Sequence, residues 1–147
     1  LRPAVLADVL GQDHLLGAAG PIGRMIGSGR YASFVLWGPS GSGKTTVARL
    51  VAKASGMKFV PLSAVRSGVA DLRKVFESAR RLRAEGGGTF LFVDEIHRFN
   101  RAQQDAFLPS VEEGTLLLAG ATTENPSFEL NAALLSRLQV LILHRLD

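Results

Sequence analysis

Residues 38–45 constrain this chain more than any other stretch. They read Gly-Pro-Ser-Gly-Ser-Gly-Lys-Thr, the pattern G-x-x-x-x-G-K-T of a loop that cradles phosphate. Such a loop works only between a buried strand and a helix. Glycines let successive backbone N–H groups turn inward and come close to phosphate oxygens. The following helix then aims its free N–H groups and positive dipole end at the same anion. The flanks fit. Ser33–Trp37 is a short apolar run that predicts a buried strand, and from Thr45 to Ser55 the residues Val47, Leu50, Val51 and Ala54 recur at helical spacing. Gly56 stands where that helix would end. Gly38, Pro39, Ser40, Gly41, Ser42, Gly43, Lys44, Thr45 and Thr46 are therefore the candidate nucleotide cradle. Lys44 would reach the outer phosphates, and the Thr45 hydroxyl would ligate Mg²⁺.

The rest of the chain alternates in the same way. Strands are expected at Lys58–Leu62, Thr89–Val93, Thr115–Ala121 and Gln139–Leu143. Helices are expected over Asp71–Arg83, roughly Arg101–Glu112, and briefly around Ala132–Arg137, with a loop at Asn125-Pro126. The lead-in before Ser33 reads as helical stretches interrupted by glycine and Pro21. Apolar strands separated by helices predict an α/β fold: a parallel sheet with helices on both faces, a three-layer sandwich. At 147 residues there is room for one domain and little more.

A second acidic motif follows from this architecture. Phe90–Val93 is apolar and runs into Asp94 and Glu95, a Walker B pattern. A strand end would deliver Asp94 to the first loop as a further Mg²⁺ ligand. Glu95, one residue on, could polarise an attacking water. His97 has no second His or Cys nearby, so it reads as a hydrogen-bonding or solvent-exposed side chain, not a metal ligand.

Composition narrows the partners. Cysteine is absent, which excludes disulfides and thiolate metal sites. A charged fraction of 20% beside 46% hydrophobic residues excludes intrinsic disorder. No apolar run approaches the roughly 20 residues of a membrane helix. The formal net charge of +4 suits a polyanionic partner. Arg73, Lys74, Arg80, Arg81 and Arg83 fall on the polar face of one amphipathic helix; with Arg98 and Arg101 they are candidate DNA contacts, against the plainer reading of a solvated face. A start at Leu1 without Met, and an end just past an apolar run, read as an excised piece of a longer protein.

With these residues identified, the chain resembles the AAA+ ATPases, and among them the RarA (MgsA) family of replication-associated recombination proteins. The segments that carry the resemblance are Arg2-Pro3, Asp8–Leu15, Leu36–Pro39, Leu62–Val65, Ser67–Val69, Leu91–Asn100, Ala102–Pro109 and Gly120–Phe128. The resemblance implies an AAA+ phosphate-loop core that binds ATP with Mg²⁺ and hydrolyses it. It implies that Val9 and Leu10 pack on the adenine, with Gln12 beside them and Arg2 and Pro3 nearby. It implies that Thr123 ends the fourth strand as the sensor of the γ-phosphate or lytic water, with Thr122 the adjacent alternative. Ser136-Arg137 is similar to the element whose arginine finger reaches a neighbouring subunit's nucleotide, so Lys44, Glu95, Thr123 and Arg137 are the implied catalytic set. The family further implies a homo-oligomer through the Arg137 face and action on single-stranded or branched DNA at stalled replication or recombination structures. Single-stranded-DNA-binding protein is a candidate partner, and the implied location is cytoplasmic and bacterial nucleoid-associated, without a membrane.

Three departures from the family pattern stand out. The loop has Pro-Ser-Gly-Ser where relatives usually carry Pro-Pro-Gly-Thr, Leu138 replaces a cysteine, and residues 1–147 stop where a helical lid and C-terminal oligomerisation region would begin. A branch-migration motor like RuvB shares all the ATP chemistry. So does a clamp-loader-like module that assembles on ATP and hydrolyses little. A small-molecule kinase is a poorer match to the Asp94-Glu95 pair and Arg137.

Overall fold

A computed structural model describes residues 12–145. Five strands form one sheet: β1 (Phe34–Trp37), β2 (Lys58–Ser63), β3 (Thr89–Asp94), β4 (Leu117–Thr122) and β5 (Gln139–Ile142). Their order across the sheet is β2-β3-β4-β1-β5, and every pairing is parallel. The expected parallel sheet with covered faces is therefore what forms.

Strand alternation sorts the apolar residues into two cores. Phe34, Leu36, Phe90, Phe92, Ala119 and Leu141 pack against α1 (Asp13–Leu16), α2 (Pro21–Ser28) and α3 (Lys44–Ser55), through Leu16, Ile22, Val47 and Val51. Val35, Leu91, Val93 and Leu118 point the other way. They meet α4 (Val69–Ala84), α6 (Leu108–Glu113) and α8 (Ala132–Leu135) through Leu72, Ala79, Leu108 and Leu134, and Phe107, which joins α5 (Arg101–Ala106) to α6; α7 (Pro126–Glu129) lies between β4 and α8 in the chain. Each large side chain buried this way contributes roughly 1.5–3 kcal/mol relative to exposure. Among the described residues no helix is long and apolar enough to cross a membrane.

Two expectations need correcting. The helix expected over Arg101–Glu112 is two helices, α5 and α6, separated at Phe107. Pro109 lacks an N–H for the carbonyl four residues back, and its ring crowds that carbonyl, so one continuous helix cannot pass it. The loop expected at Asn125-Pro126 contains α7, because Asn125 caps it by accepting the Ser127 N–H at 3.0 Å and Pro126 starts the first turn.

Candidate functional site

The strand order brings three chain ends together at one edge of the sheet. β1 lies beside β4, and β4 beside β3, so the turn after β1, the end of β4 and the acids ending β3 are neighbours. In register, Trp37 pairs with Thr122 and Asp94 with Ala121. The Gly38 N–H donates to the Thr122 carbonyl at 3.1 Å, tying the loop's first residue to the end of β4.

The loop itself is tightly built. A Cβ on Gly38 would meet the Leu143 carbonyl oxygen at 2.8 Å, so only glycine fits. Gly43 has φ 87°, a left-handed turn that lets α3 begin directly at Lys44. Lys44 Nζ donates to the carbonyls of Gly38 at 2.6 Å and Pro39 at 2.9 Å, with Ser42 Oγ at 3.4 Å. Burial pushes the Lys44 ammonium below the usual lysine value, and the Asp94 carboxylate partly offsets this. Ser42 is fully buried, while Ser40 and Gly41 are exposed.

Thr45 and Asp94 line one cavity of about 290 Å³, along with Arg49, Phe59, Ser63 and Phe92. A hydroxyl and a carboxylate are the hard oxygen donors that magnesium takes, so the donor set fits that ion. Arg49 stacks on Phe59, its guanidinium carbon 4.5 Å from the ring centroid. Asp94 is exposed and Glu95 half-buried. Thr46 lies in the first turn of α3, half-buried.

β4 ends at Thr122, one residue past the Ala121 expected from the apolar run and one short of Thr123, where the resemblance put its end. The reason is local: the Thr122 hydroxyl accepts the Glu124 N–H at 2.9 Å and turns the chain out of the sheet. Thr122 is buried and its hydroxyl is engaged with His97 Nδ1 at 2.8 Å, whereas Thr123 is exposed at the strand's mouth. His97 is thus a hydrogen-bonding residue, and among the described residues no cluster of three His, Asp or Glu side chains could hold a metal.

Arg137 is elsewhere. It lies two residues before β5, at the sheet edge opposite the loop, and helps line a cavity bounded by Tyr31, Ser33, Thr89 and Thr115. Arg137 Nε pairs with Glu112 at 3.3 Å, and its Nη1 donates to the Ala133 carbonyl and Ser136 Oγ. Val9 and Leu10, with Arg2 and Pro3, lie outside the described residues. Gln12 is described and fully buried: its Nε2 donates to the Ser42 carbonyl at 2.9 Å and the His144 carbonyl at 2.6 Å.

Sequence reasoning missed Gln104. Its Nε2 donates to the carbonyls of Phe99 and Glu129, and its Oε1 accepts the Asn131 N–H at 2.7 Å. It therefore joins the segment after β3 to the segment leading into α8. The available signal was a glutamine on the apolar side of a short helix, too weak to separate from its neighbour Gln103.

Comparison with known proteins agrees with this fold. Residues 34–146 match the family described as "ATPase family associated with various cellular activities (AAA)". The chain is 53% identical, over its whole length, to replication-associated recombination protein A of Escherichia coli K12, and 54% identical over 99% of its length to the Coxiella burnetii protein of that name. It spans about a third of each of those relatives, 33%. Among solved structures, the Holliday junction branch migration motor RuvB of Thermotoga maritima superposes with a TM-score of 0.78 at 28% identity, covering 99% of this chain and 48% of that one.

Proposed function

The chain belongs to the AAA family of ATPases, and from that premise we propose that it binds ATP with Mg²⁺ and hydrolyses it as the motor module of a protein similar to replication-associated recombination protein A. The observation that carries this reading is the shared cavity of Thr45 and Asp94 beside the Lys44 loop. Lys44 would exchange the Gly38 and Pro39 carbonyls for phosphate oxygens. Thr45 and Asp94 would hold Mg²⁺, which when bound neutralises charge on the phosphates. Glu95 would orient the attacking water, and Thr123 would contact the γ-phosphate or that water. Val9 and Leu10 are the proposed adenine contacts. Positioning and charge neutralisation supply most of the rate in phosphoryl transfer to water.

Arg137 is proposed to complete the site of a neighbouring copy, making the working form a homo-oligomer. DNA at stalled or branched replication structures is the proposed substrate. The exposed basic residues of α4, with Lys58, Lys74 and Arg81 around a groove of about 420 Å³, are candidate phosphate contacts, as are Arg98 and Arg101. The likeness to the RuvB motor favours one second reading, branch migration at four-way junctions, in which hexamers form on such junctions.

ATP hydrolysis per subunit, measured against protein concentration with Glu95→Gln alongside, tests the reading. The rate should climb with concentration and disappear in the variant while ATP binding persists. Undiminished hydrolysis by Glu95→Gln would refute the assignment.

A further inference from the structure

Glu95 sits in a left-handed backbone conformation, φ 53° and ψ 47°, the only residue other than glycine with positive φ among those described. That conformation costs roughly 1–2 kcal/mol for a residue with a Cβ, so neighbouring structure must hold it. Two contacts do so, both made by the single 3₁₀ turn that follows, Ile96–Arg98.

The first contact is apolar. Ile96 is fully buried against Gly120 of β4, where an added Cβ would come within 3.0 Å of Ile96 Cδ1 and 3.1 Å of Cγ2. The absent side chain at 120 is what lets the turn lie flat on the strand.

The second is polar. His97 Nδ1 stands 2.8 Å from Thr122 Oγ1, and Thr122 is 1% exposed. That hydroxyl also accepts from the Glu124 N–H at 2.9 Å and donates to the Glu124 carbonyl at 3.1 Å. A hydroxyl has one proton and two lone pairs. With the proton on the Glu124 carbonyl and one lone pair on the Glu124 N–H, the remaining lone pair needs a donor. The bond to His97 forms in either tautomer: Nδ1–H donates to that lone pair, or Nδ1 accepts the hydroxyl proton in place of the Glu124 carbonyl.

We propose that His97 is a positioning residue for ATP hydrolysis, fastening the Glu95 turn to the end of the strand that leads into Thr123. The two groups assigned to the water and the γ-phosphate leave different strands, and this hydrogen bond sets their spacing. The proposal rests on the reading of Glu95 as the water-orienting group. An error in that spacing costs rate and leaves nucleotide binding, which Lys44 and the loop supply, largely untouched.

The test compares His97→Ala, His97→Gln and His97→Asn in the protein at its full natural length, with Thr122→Val and Glu95→Gln alongside. Steady-state hydrolysis is read together with the affinity for a fluorescent ADP analogue. Asparagine puts an amide, able to donate or accept, close to where Nδ1 stands, whereas glutamine puts it where Nε2 would be. His97→Ala and His97→Gln should lose about tenfold or more in kcat, the scale of a misplaced reacting group, with ADP affinity within about twofold of wild type. His97→Asn should recover most of the loss. Thr122→Val, which also loses the two Glu124 bonds, should lose at least as much as His97→Ala, and adding His97→Ala to it should cost nothing further, as expected for one shared interaction.

An unchanged kcat in His97→Ala, with Glu95→Gln inactive, overturns the proposal alone. So does His97→Asn as slow as His97→Ala, which would leave only ring volume, or a parallel loss of ADP affinity, which would mean general damage. Turnover persisting in Glu95→Gln overturns the reading of Glu95, and this proposal with it.

Discussion

Lys44 and Arg137 stand at opposite edges of one sheet. Lys44 follows the loop after β1, Arg137 precedes β5, and β1 and β5 run parallel in register from Phe34 opposite Gln139 to Trp37 opposite Ile142. Four strand residues alone separate the two edges by roughly 13 Å. Arg137 is turned toward Glu112, on the helical layer, so it does not serve its own chain's loop.

Mixing therefore should restore what single variants lose. Lys44→Ala keeps the arginine and lacks a working loop, and Arg137→Ala is the converse. Each alone should fall by about 10³-fold or more, the scale of an arginine finger. Equimolar mixtures should recover measurable hydrolysis in a steady-state assay. Mixtures as inactive as their components would remove Arg137 from the neighbour's site.

Backbone strain at Glu95 predicts a separation of stability from activity. Glycine adopts φ 53° without a Cβ penalty, although it gives the unfolded chain more freedom. Glu95→Gly should unfold in urea at the same midpoint or a higher one, by up to about 1 kcal/mol, while hydrolysis is lost. A clearly lower midpoint would mean that the side chain itself supports the fold.

The depressed Lys44 pKa has a direct signature in nucleotide binding. Phosphate favours the ammonium, so affinity falls as pH rises through the pKa of the free loop. That pKa lies below the ordinary lysine value of 10.5, and the Asp94 carboxylate is what keeps it from falling further. Magnesium-free ADP titrations should thus lose affinity at a pH below 10.5, and earlier still in Asp94→Asn. Lys44→Arg, charged throughout, should show no such loss. An identical pH profile in wild type and Lys44→Arg would contradict the assignment.

Gln104→Leu should cost about 3 kcal/mol. It leaves the carbonyls of Phe99 and Glu129 and the Asn131 N–H without their partner, at about 1 kcal/mol or more apiece. The urea midpoint measures it, and a change under about 0.5 kcal/mol would mean that water replaces the amide.

What could be read from sequence was what lies contiguous in it. The loop at 38–45, its helix and the Asp94-Glu95 strand end are local patterns, and the sheet with both faces covered followed from their alternation. The split at Phe107 was also written locally, in Pro109, but the apolar periodicity on either side overshadowed it. Other features depend on pairs far apart in the chain. Thr122 meets His97 across 25 positions, and Gln12 meets His144 across 132. No composition or period encodes such pairs. The same holds for the left-handed Glu95, because a glutamate in that conformation carries no local signal.

The proposed placement of the two half-sites also bears on symmetry. Copies that trade Arg137 for a loop can do so about a twofold axis, where loop meets arginine twice, or head to tail, where each copy gives to one neighbour and takes from another. The twofold pair completes two centres. Head to tail, a pair of copies completes one catalytic centre and leaves one loop and one arginine over. An open arc always lacks one centre relative to its subunit count, and only a closed ring lacks none. Where the rotation per subunit fails to close, the same contact builds a helical filament. The number of working centres thus reports how the assembly ends.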